Sequence, residues 1–299
     1  MLGPIIPNMS VIEVIDLKRE QPSLPIEAQD RLVDALENGK VLFLPRYGFP
    51  IAAAERLFLS PTVVNKSKNV SYDPRTGVLG GTELSGANAS LLRGMIARFS
   101  DFAQELLMKL ISSYGDGLIR ARTSFRPVEV EGRVSSWRKD DSRLHVDSFP
   151  SSPTGGKRIL RVFANVNPEG RSRVWRVGEP FEQMAARFLP SIRRPLPGNN
   201  ALLAFLRITK SRRTEYDHLM LNLHDHMKAD DRYQMEVKQI VHEFPPGCTW
   251  LTFSDQVSHA AMRGQYQFEQ TFLLPVAHMR DERRSPLRVL ERLTGRKLT

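Results

Sequence analysis

The spacing of apolar residues changes character near residue 118. Upstream, the period is helical. Leu91, Leu92, Met95, Ile96, Phe99, Phe102, Ala103, Leu106, Leu107, Leu110 and Ile111 fall on one helix face, which predicts a long helix over 88–113, ended by GDG at 115–117. A shorter helix is expected over 27–38, with Gly39 just past its end, and a strand over 40–45 (KVLFLP). Residues 60–87 are polar and glycine-rich and read as a long surface loop.

Downstream of 118, short β-branched and aromatic runs alternate with Gly, Pro, Asn and Asp. TSFRPVEV, RLHVDSF, RILRVFANV, SRVWRV, NALLAFLRI, YQMEVKQIVHEF, TWLTFS and QYQFEQTFLLPV are predicted strands. Helical segments interrupt them at 181–189 and 213–229. Helices first and strands afterwards define an α+β protein. The strand count suits a double-stranded β-helix, that is, a jelly-roll or cupin-like core, with buttressing N-terminal helices and inserted helices. We expect a single elaborated domain over 1–299. In it, 1–117 is support, 118–278 the catalytic core and 279–299 a basic C-terminal extension.

Composition narrows the chemistry. One cysteine, Cys248, excludes an intramolecular disulfide and a cysteine-built zinc cage. No leader or membrane-spanning stretch is visible, so the cytoplasm is the expected compartment. The net charge of +10 favours an anionic partner: nucleic acid, a phosphorylated small molecule or an acidic membrane surface.

LHVDSFP at 144–150 carries the candidate chemistry. In a strand, His145 and Asp147 would point to one face while Leu144 and Val146 face the other. A later histidine, His259 in FSDQVSHAA, could complete two imidazoles and one carboxylate. That set is the facial triad of non-haem iron oxygenases, which leaves coordination positions open. The competing reading is a hydrogen-bonded strand pair with no metal. HDH at 224–226 is a weaker candidate, since His224 and His226 do not share a helix face.

Such an oxygenase also needs a buried cation for the far carboxylate of 2-oxoglutarate, and arginine suits it by its bidentate fork. Downstream of His259 stand Glu269 and Gln270, not a cation. Arg161, between Leu160 and Val162, is the expected replacement. It shares a strand face with Phe163 and Asn165, and Arg126, Arg158 and Arg263 are in reserve.

These segments together resemble the bacterial Kdo hydroxylases: SRLHVDSFPSSPTGGKRILRVFANVNP, RVWRVGEPFE, YDHLMLNLHDHMKADD and FSDQVSHAAMRGQYQFEQTF. The resemblance implies an Fe(II)- and 2-oxoglutarate-dependent dioxygenase with O2 as second co-substrate and His145, Asp147 and His259 as ligands. It implies hydroxylation at C3 of a Kdo sugar of Kdo2-lipid A, giving Ko. It also implies peripheral attachment to the cytoplasmic face of the inner membrane. Lys157, Arg158, Arg173 and Arg176 are then expected to grip the acidic sugars and phosphates. The basic tail, with Leu287, Leu290 and Leu293 on one stripe, could lie on anionic lipid or simply dock on the domain. Two alternatives stay open: a dioxygenase acting on another anionic substrate, and a basic nucleic-acid-binding jelly-roll module without catalysis. The second lacks an interleaved aromatic platform beyond Trp175, so no nucleic acid is expected.

Overall fold

The computed structural model describes residues 11–65, 67–193 and 213–299. Among them, eleven strands form two sheets. The major sheet runs β1-β2-β9-β6-β11-β5-β3-β4, from β1 (Ile12–Val14), β2 (Val41–Leu44), β3 (Val70–Asp73), β4 (Val78–Gly80), β5 (Ile119–Arg126), β6 (Arg158–Asn165), β9 (Thr249–Phe253) and β11 (Gln267–Leu274). The minor sheet runs β10-β7-β8, from β7 (Arg173–Val177), β8 (Ile240–Phe244) and β10 (His259–Arg263). The arrangement is an α+β fold with a jelly-roll core.

Alternation on the strands sorts the side chains into two cores. On β6, Phe163 turns into the space between the sheets. There it stacks on Trp250 at 5.3 Å and meets Trp175 edge-on at 5.0 Å, with Phe43 and Phe244 completing the cluster. Leu160 and Val162 turn the other way and pack under the helices. Each large apolar side chain so buried stabilises the fold by about 1.5–3 kcal/mol. Helix α2 (Gly86–Leu110) buries Leu92, Met95, Ile96, Phe99, Ala103, Leu106, Leu107 and Leu110, the predicted stripe. Helix α1 (Ile26–Glu37) covers the same sheet beside it.

Helices α3 (Phe181–Phe188), α4 (Glu215–Ala229) and the short α5 (Asp231–Glu236) are inserted between the minor-sheet strands β7 and β8. Helix α6 (Pro286–Thr294) closes the chain.

Several local expectations are corrected. The 60–87 segment is not a featureless loop, because β3 and β4 pair within it and extend the major sheet through β5. The run beginning at Tyr233 starts as helix α5, whose Asp230 carboxylate caps Tyr233 N–H, and becomes strand only at Ile240. Strand β5 ends at Arg126 because Pro127 has no N–H to donate. NALLAFLRI lies outside the described residues. The terminal helix does not present a free apolar stripe: Leu287 and Leu290 are buried in the core. Its cations pair internally, Arg288 with Glu282 and Glu291, and Arg292 with Glu182.

Candidate metal centre and its cavity

The 144–147 segment bridges the two sheets. His145 N–H donates to His259 O at 3.0 Å, and His259 N–H returns the bond to His145 O at 2.9 Å. Asp147 N–H donates instead to Ser254 O at 2.8 Å, just past β9 of the major sheet. The predicted strand over 143–149 is therefore reduced to an isolated bridge at His145. The segment leaves one ladder for the other, and Pro150 offers no donor with which to continue. The alternation nevertheless holds. Leu144 and Val146 are wholly buried on the core side, while His145 and Asp147 line the cavity. Gln234 fixes the entry, accepting from Leu144 N–H at 2.7 Å and donating to Leu144 O at 3.0 Å.

One ligand atom from each of His145, Asp147 and His259 lies within 4.8 Å of the other two. Among the described residues this is the only trio of His, Cys, Asp or Glu side chains that converges so. Each imidazole is oriented by its own backbone neighbourhood. His145 Nδ1 meets Arg143 O at 2.7 Å, and His259 Nδ1 meets Val257 O at 2.8 Å. Nδ1–H is then the donor in both rings, and both Nε2 lone pairs are left for a metal, the usual outer arrangement of a ligating histidine. Trp175 stacks on the His259 ring at 4.9 Å. Burial, with His259 nearby, pushes the His145 pKa well below the ordinary value; burial likewise lowers that of His259. Both rings are therefore neutral and ready to ligate at neutral pH. Burial alone would raise the Asp147 pKa. The Arg161 guanidinium outweighs it and holds the carboxyl well below its usual range.

The cavity, about 290 Å3, reaches past the trio into the space between the sheets. Arg161 Nη1 stands 3.1 Å from Asp147 Oδ2 and 3.3 Å from Glu269 Oε1. Arg126 Nε donates to Glu269 Oε2 at 3.0 Å. Behind Arg126, Asp141 gathers Lys68 and Arg133, each at 2.8 Å. Buried polar atoms with no hydrogen-bond partner collect at this cavity: Asp147 Oδ2, Arg161 Nε, Arg173 Nε, Trp175 Nε1 and Gln267 Oε1. Unpaired buried donors and acceptors are costly and scarce in folded proteins. A carboxylate oxygen held only by the Arg161 ion pair, beside two free imidazole nitrogens, suits a divalent cation. Free arginine and indole N–H groups suit the oxygens of a keto acid. The residues present thus fit Fe(II) and 2-oxoglutarate together. A wider groove of about 880 Å3 near α1 and α3 has no such convergence, and carboxylates in it are paired, as in Arg284–Asp34 and Lys40–Glu13.

The other predicted site residues divide. Arg161, Arg126 and Arg173 line the cavity. Asn165 does not: its amide ties β6 to Arg171 O and Phe244 O. Arg263 pairs with Glu243 in an exposed position. Arg158 is fully buried, with Nε 2.8 Å from Asp255 and its guanidinium over the Phe253 ring, so no substrate reaches it. Lys157 turns to Thr154 O, and Arg176 clamps Ser142 O and Gln234 O. A charge-rich stretch of sequence does not tell which of its cations are structural.

Several cavity residues are not signalled by the sequence, among them Lys68, Asp141, Lys228 and Glu269. Glu269 stands where a cation is expected, yet it is the buried counter-charge to Arg126 and Arg161. Lys228, in the last turn of α4, is 2% exposed, a degree of burial no local pattern signals. His224 also lines the cavity, its ring 5.4 Å from that of His145, whereas His226 faces Ser191.

A two-sheet jelly roll carrying a His-x-Asp…His cluster beside buried arginines is the class of non-haem Fe(II)/2-oxoglutarate dioxygenases. The comparisons with known proteins agree. The profile of the 3-deoxy-D-manno-oct-2-ulosonic acid (Kdo) hydroxylase family matches residues 19–297, so the chain belongs to that family. Among solved structures it is similar to the Kdo hydroxylase KdoO, a non-haem Fe(II) α-ketoglutarate-dependent dioxygenase, in three crystal structures of its complexes. With cobalt(II), identity is 47% over 96% of this chain and 97% of that one, at a TM-score of 0.94. With α-ketoglutarate and Fe(III) the values are 46%, 96% and 97%, at 0.93. With succinate and Fe(III) they are 47%, 96% and 97%, at 0.92. A search of curated proteins gives no match. The chain is an Fe(II)/2-oxoglutarate-dependent dioxygenase, and the reading as a non-catalytic nucleic-acid-binding module falls.

Proposed function

We propose that the chain hydroxylates C3 of a Kdo sugar of Kdo2-lipid A, giving Ko. His145 and His259, through Nε2, and the Asp147 carboxylate would hold the iron. With 2-oxoglutarate and O2 bound, iron supplies the oxidising power that replaces a C–H by C–OH, with succinate and carbon dioxide as co-products. The protein's part is placement. Arg161, assisted by Arg126, holds the far carboxylate of 2-oxoglutarate through charge-assisted hydrogen bonds. Trp175 and Phe163 wall the cavity and exclude water from it. Glu269 keeps both arginines in place before the co-substrate arrives. We read 118–278 as the catalytic core, with β1, β2, β3 and β4 lending strands to the major sheet and α1 and α2 supporting it.

The observation that carries this reading is the convergence of the trio with unpaired donors in one cavity, in a member of the Kdo hydroxylase family. Cavity cations (Lys68, Arg126, Arg138, Lys139, Arg161, Arg173 and Lys228) outnumber its carboxylates (Asp141, Asp147 and Glu269), which suits two anionic reactants. Mass spectrometry of Kdo2-lipid A after incubation should show a gain of one oxygen atom on a Kdo unit. The gain should require Fe(II), 2-oxoglutarate and O2 together. Unmodified glycolipid, with oxidation of a different anionic compound, would overturn the assignment.

Among the described residues no helix is long and apolar enough to cross a membrane. We infer that the protein reaches its glycolipid from the cytoplasmic face of the inner membrane, held by its basic surface rather than by α6. Vesicle binding should then weaken as salt screens the charge; salt-independent binding would contradict this.

A further inference from the structure

Lys228 is a buried cation that forms no ion pair with any described carboxylate. It stands in the last turn of α4, 2% exposed, and lines the iron cavity on the side of His145 and His224. Its ammonium donates to Arg138 O at 3.0 Å and makes no ion pair among the described residues. An ammonium has three donors, so two are left without a protein acceptor. The neighbouring cations differ. Arg126 and Arg161 share Glu269, Lys68 holds Asp141, and Arg138 pairs with Asp225. Arg173 also lacks a carboxylate, but it is anchored on the strand wall by Gly264 O at 2.7 Å, beside Trp175. Among the described cations only Lys228 reaches the cavity from the inserted helices. A buried charge left unpaired costs several kcal/mol, a cost that an incoming anion would remove. Burial already lowers the Lys228 pKa, as expected of an ammonium waiting for a counter-charge.

We propose that Lys228 binds the C1 carboxylate of the Kdo sugar and so aims C3 at the metal centre. The inference rests on the function proposed above. In a 3-deoxy-oct-2-ulosonic acid the carboxyl carbon is bonded to C2, and C3 is the next ring carbon. When C3 is presented to the metal centre, the carboxylate has to lie close beside the metal ligands. There it meets a desolvated ammonium with two free donors. Such a pairing selects acidic ulosonic sugars over neutral ones. It also fixes which ring face turns to the metal, so Lys228 is a positioning and specificity residue rather than a purely structural one.

The competing role is mechanical: a lysine at a helix C-terminus tying α4 to the 137–139 turn. A substrate-by-residue cycle separates the two. Wild type and Lys228→Met are assayed with Kdo2-lipid A and with its Kdo methyl ester. For wild type, esterification should lower kcat/KM by about 10–100-fold, the range of a charge-assisted hydrogen bond. Lys228→Met should show the same loss on the acid and little further loss on the ester, and Lys228→Arg should recover part of it. Calorimetry with the Kdo monosaccharide on metal-free protein should show the matching loss of affinity. The 2-oxoglutarate KM should stay near wild type and the Tm should not fall.

Equal penalties from esterification in wild type and Lys228→Met would overturn the proposal. So would a loss that follows Tm and is not restored by arginine. Failure of the wild type to hydroxylate Kdo2-lipid A would instead overturn the function on which the proposal rests.

Discussion

His145 and His259 exchange both of their backbone hydrogen bonds, at 3.0 and 2.9 Å, although they stand far apart in the chain. The two candidate ligands are thus joined through the main chain, independently of any metal. Their side chains can be removed without cutting the bridge. We expect His145→Ala, His259→Ala and Asp147→Ala to keep the wild-type circular dichroism spectrum while coupled 2-oxoglutarate turnover is abolished. Wild-type turnover in any one of them would displace that residue from the metal centre.

Arg161 answers two buried carboxylates, Asp147 and Glu269. Arg161→Met should raise the 2-oxoglutarate KM by about 10–100-fold, the worth of a charge-assisted carboxylate contact. It should also lower stability by roughly 3–5 kcal/mol, because two buried charges lose a partner. Steady-state kinetics and urea denaturation measure the two effects. An unchanged KM with lowered stability would leave Arg161 as a structural counter-ion and move the co-substrate role to Arg126.

Arg158 and Asp255 form a wholly buried pair that does not line the cavity, and burial raises the Asp255 pKa in spite of the arginine. Arg158→Met should cost roughly 3–5 kcal/mol by stranding Asp255, and the double variant Arg158→Met/Asp255→Leu should recover most of it. The apparent affinity for Kdo2-lipid A in folded protein should not change. A selective loss of glycolipid affinity in Arg158→Met would restore the substrate role that its sequence neighbourhood suggested.

Asp141 gives the fold a pH dependence. Burial would raise its pKa, but Arg126 and Lys68 outweigh that and hold it well below the usual carboxylate range. A folded value below the unfolded one stabilises the protein fully above the unfolded pKa, about 4. That contribution is lost as pH falls through the folded value. Unfolding free energy should therefore drop steeply below about pH 4 in wild type. In Asp141→Asn it should be lower by roughly 3 kcal/mol at neutral pH and fall less steeply in acid. Parallel pH profiles for the two proteins would contradict this.

The sequence was legible where one periodicity served one element. The α2 stripe from Leu92 to Leu110 is visible as an i, i+3, i+4 pattern, and Phe163 and Leu160 part company as alternation requires. The first half of the candidate metal site was legible too, because His145 and Asp147 lie within one short stretch. The rest depends on long-range register. Nothing local shows that Glu269 sits opposite Phe163 across β11 and β6, between two arginines. Nor does it show that Arg158 meets Asp255 while Arg161, on the same strand, meets Asp147. Lys228 looks like any solvated lysine at a helix end until the 137–139 turn is folded over it.

The most direct test is an anaerobic titration of the metal-free protein with Fe(II) and 2-oxoglutarate, followed by absorbance. A metal-to-ligand charge-transfer band should appear only when both are present. It should be missing in Asp147→Ala and His259→Ala and need far more 2-oxoglutarate in Arg161→Met. A band of wild-type strength in Asp147→Ala or His259→Ala, or none in the wild type, would contradict the assignment of this trio as the iron site.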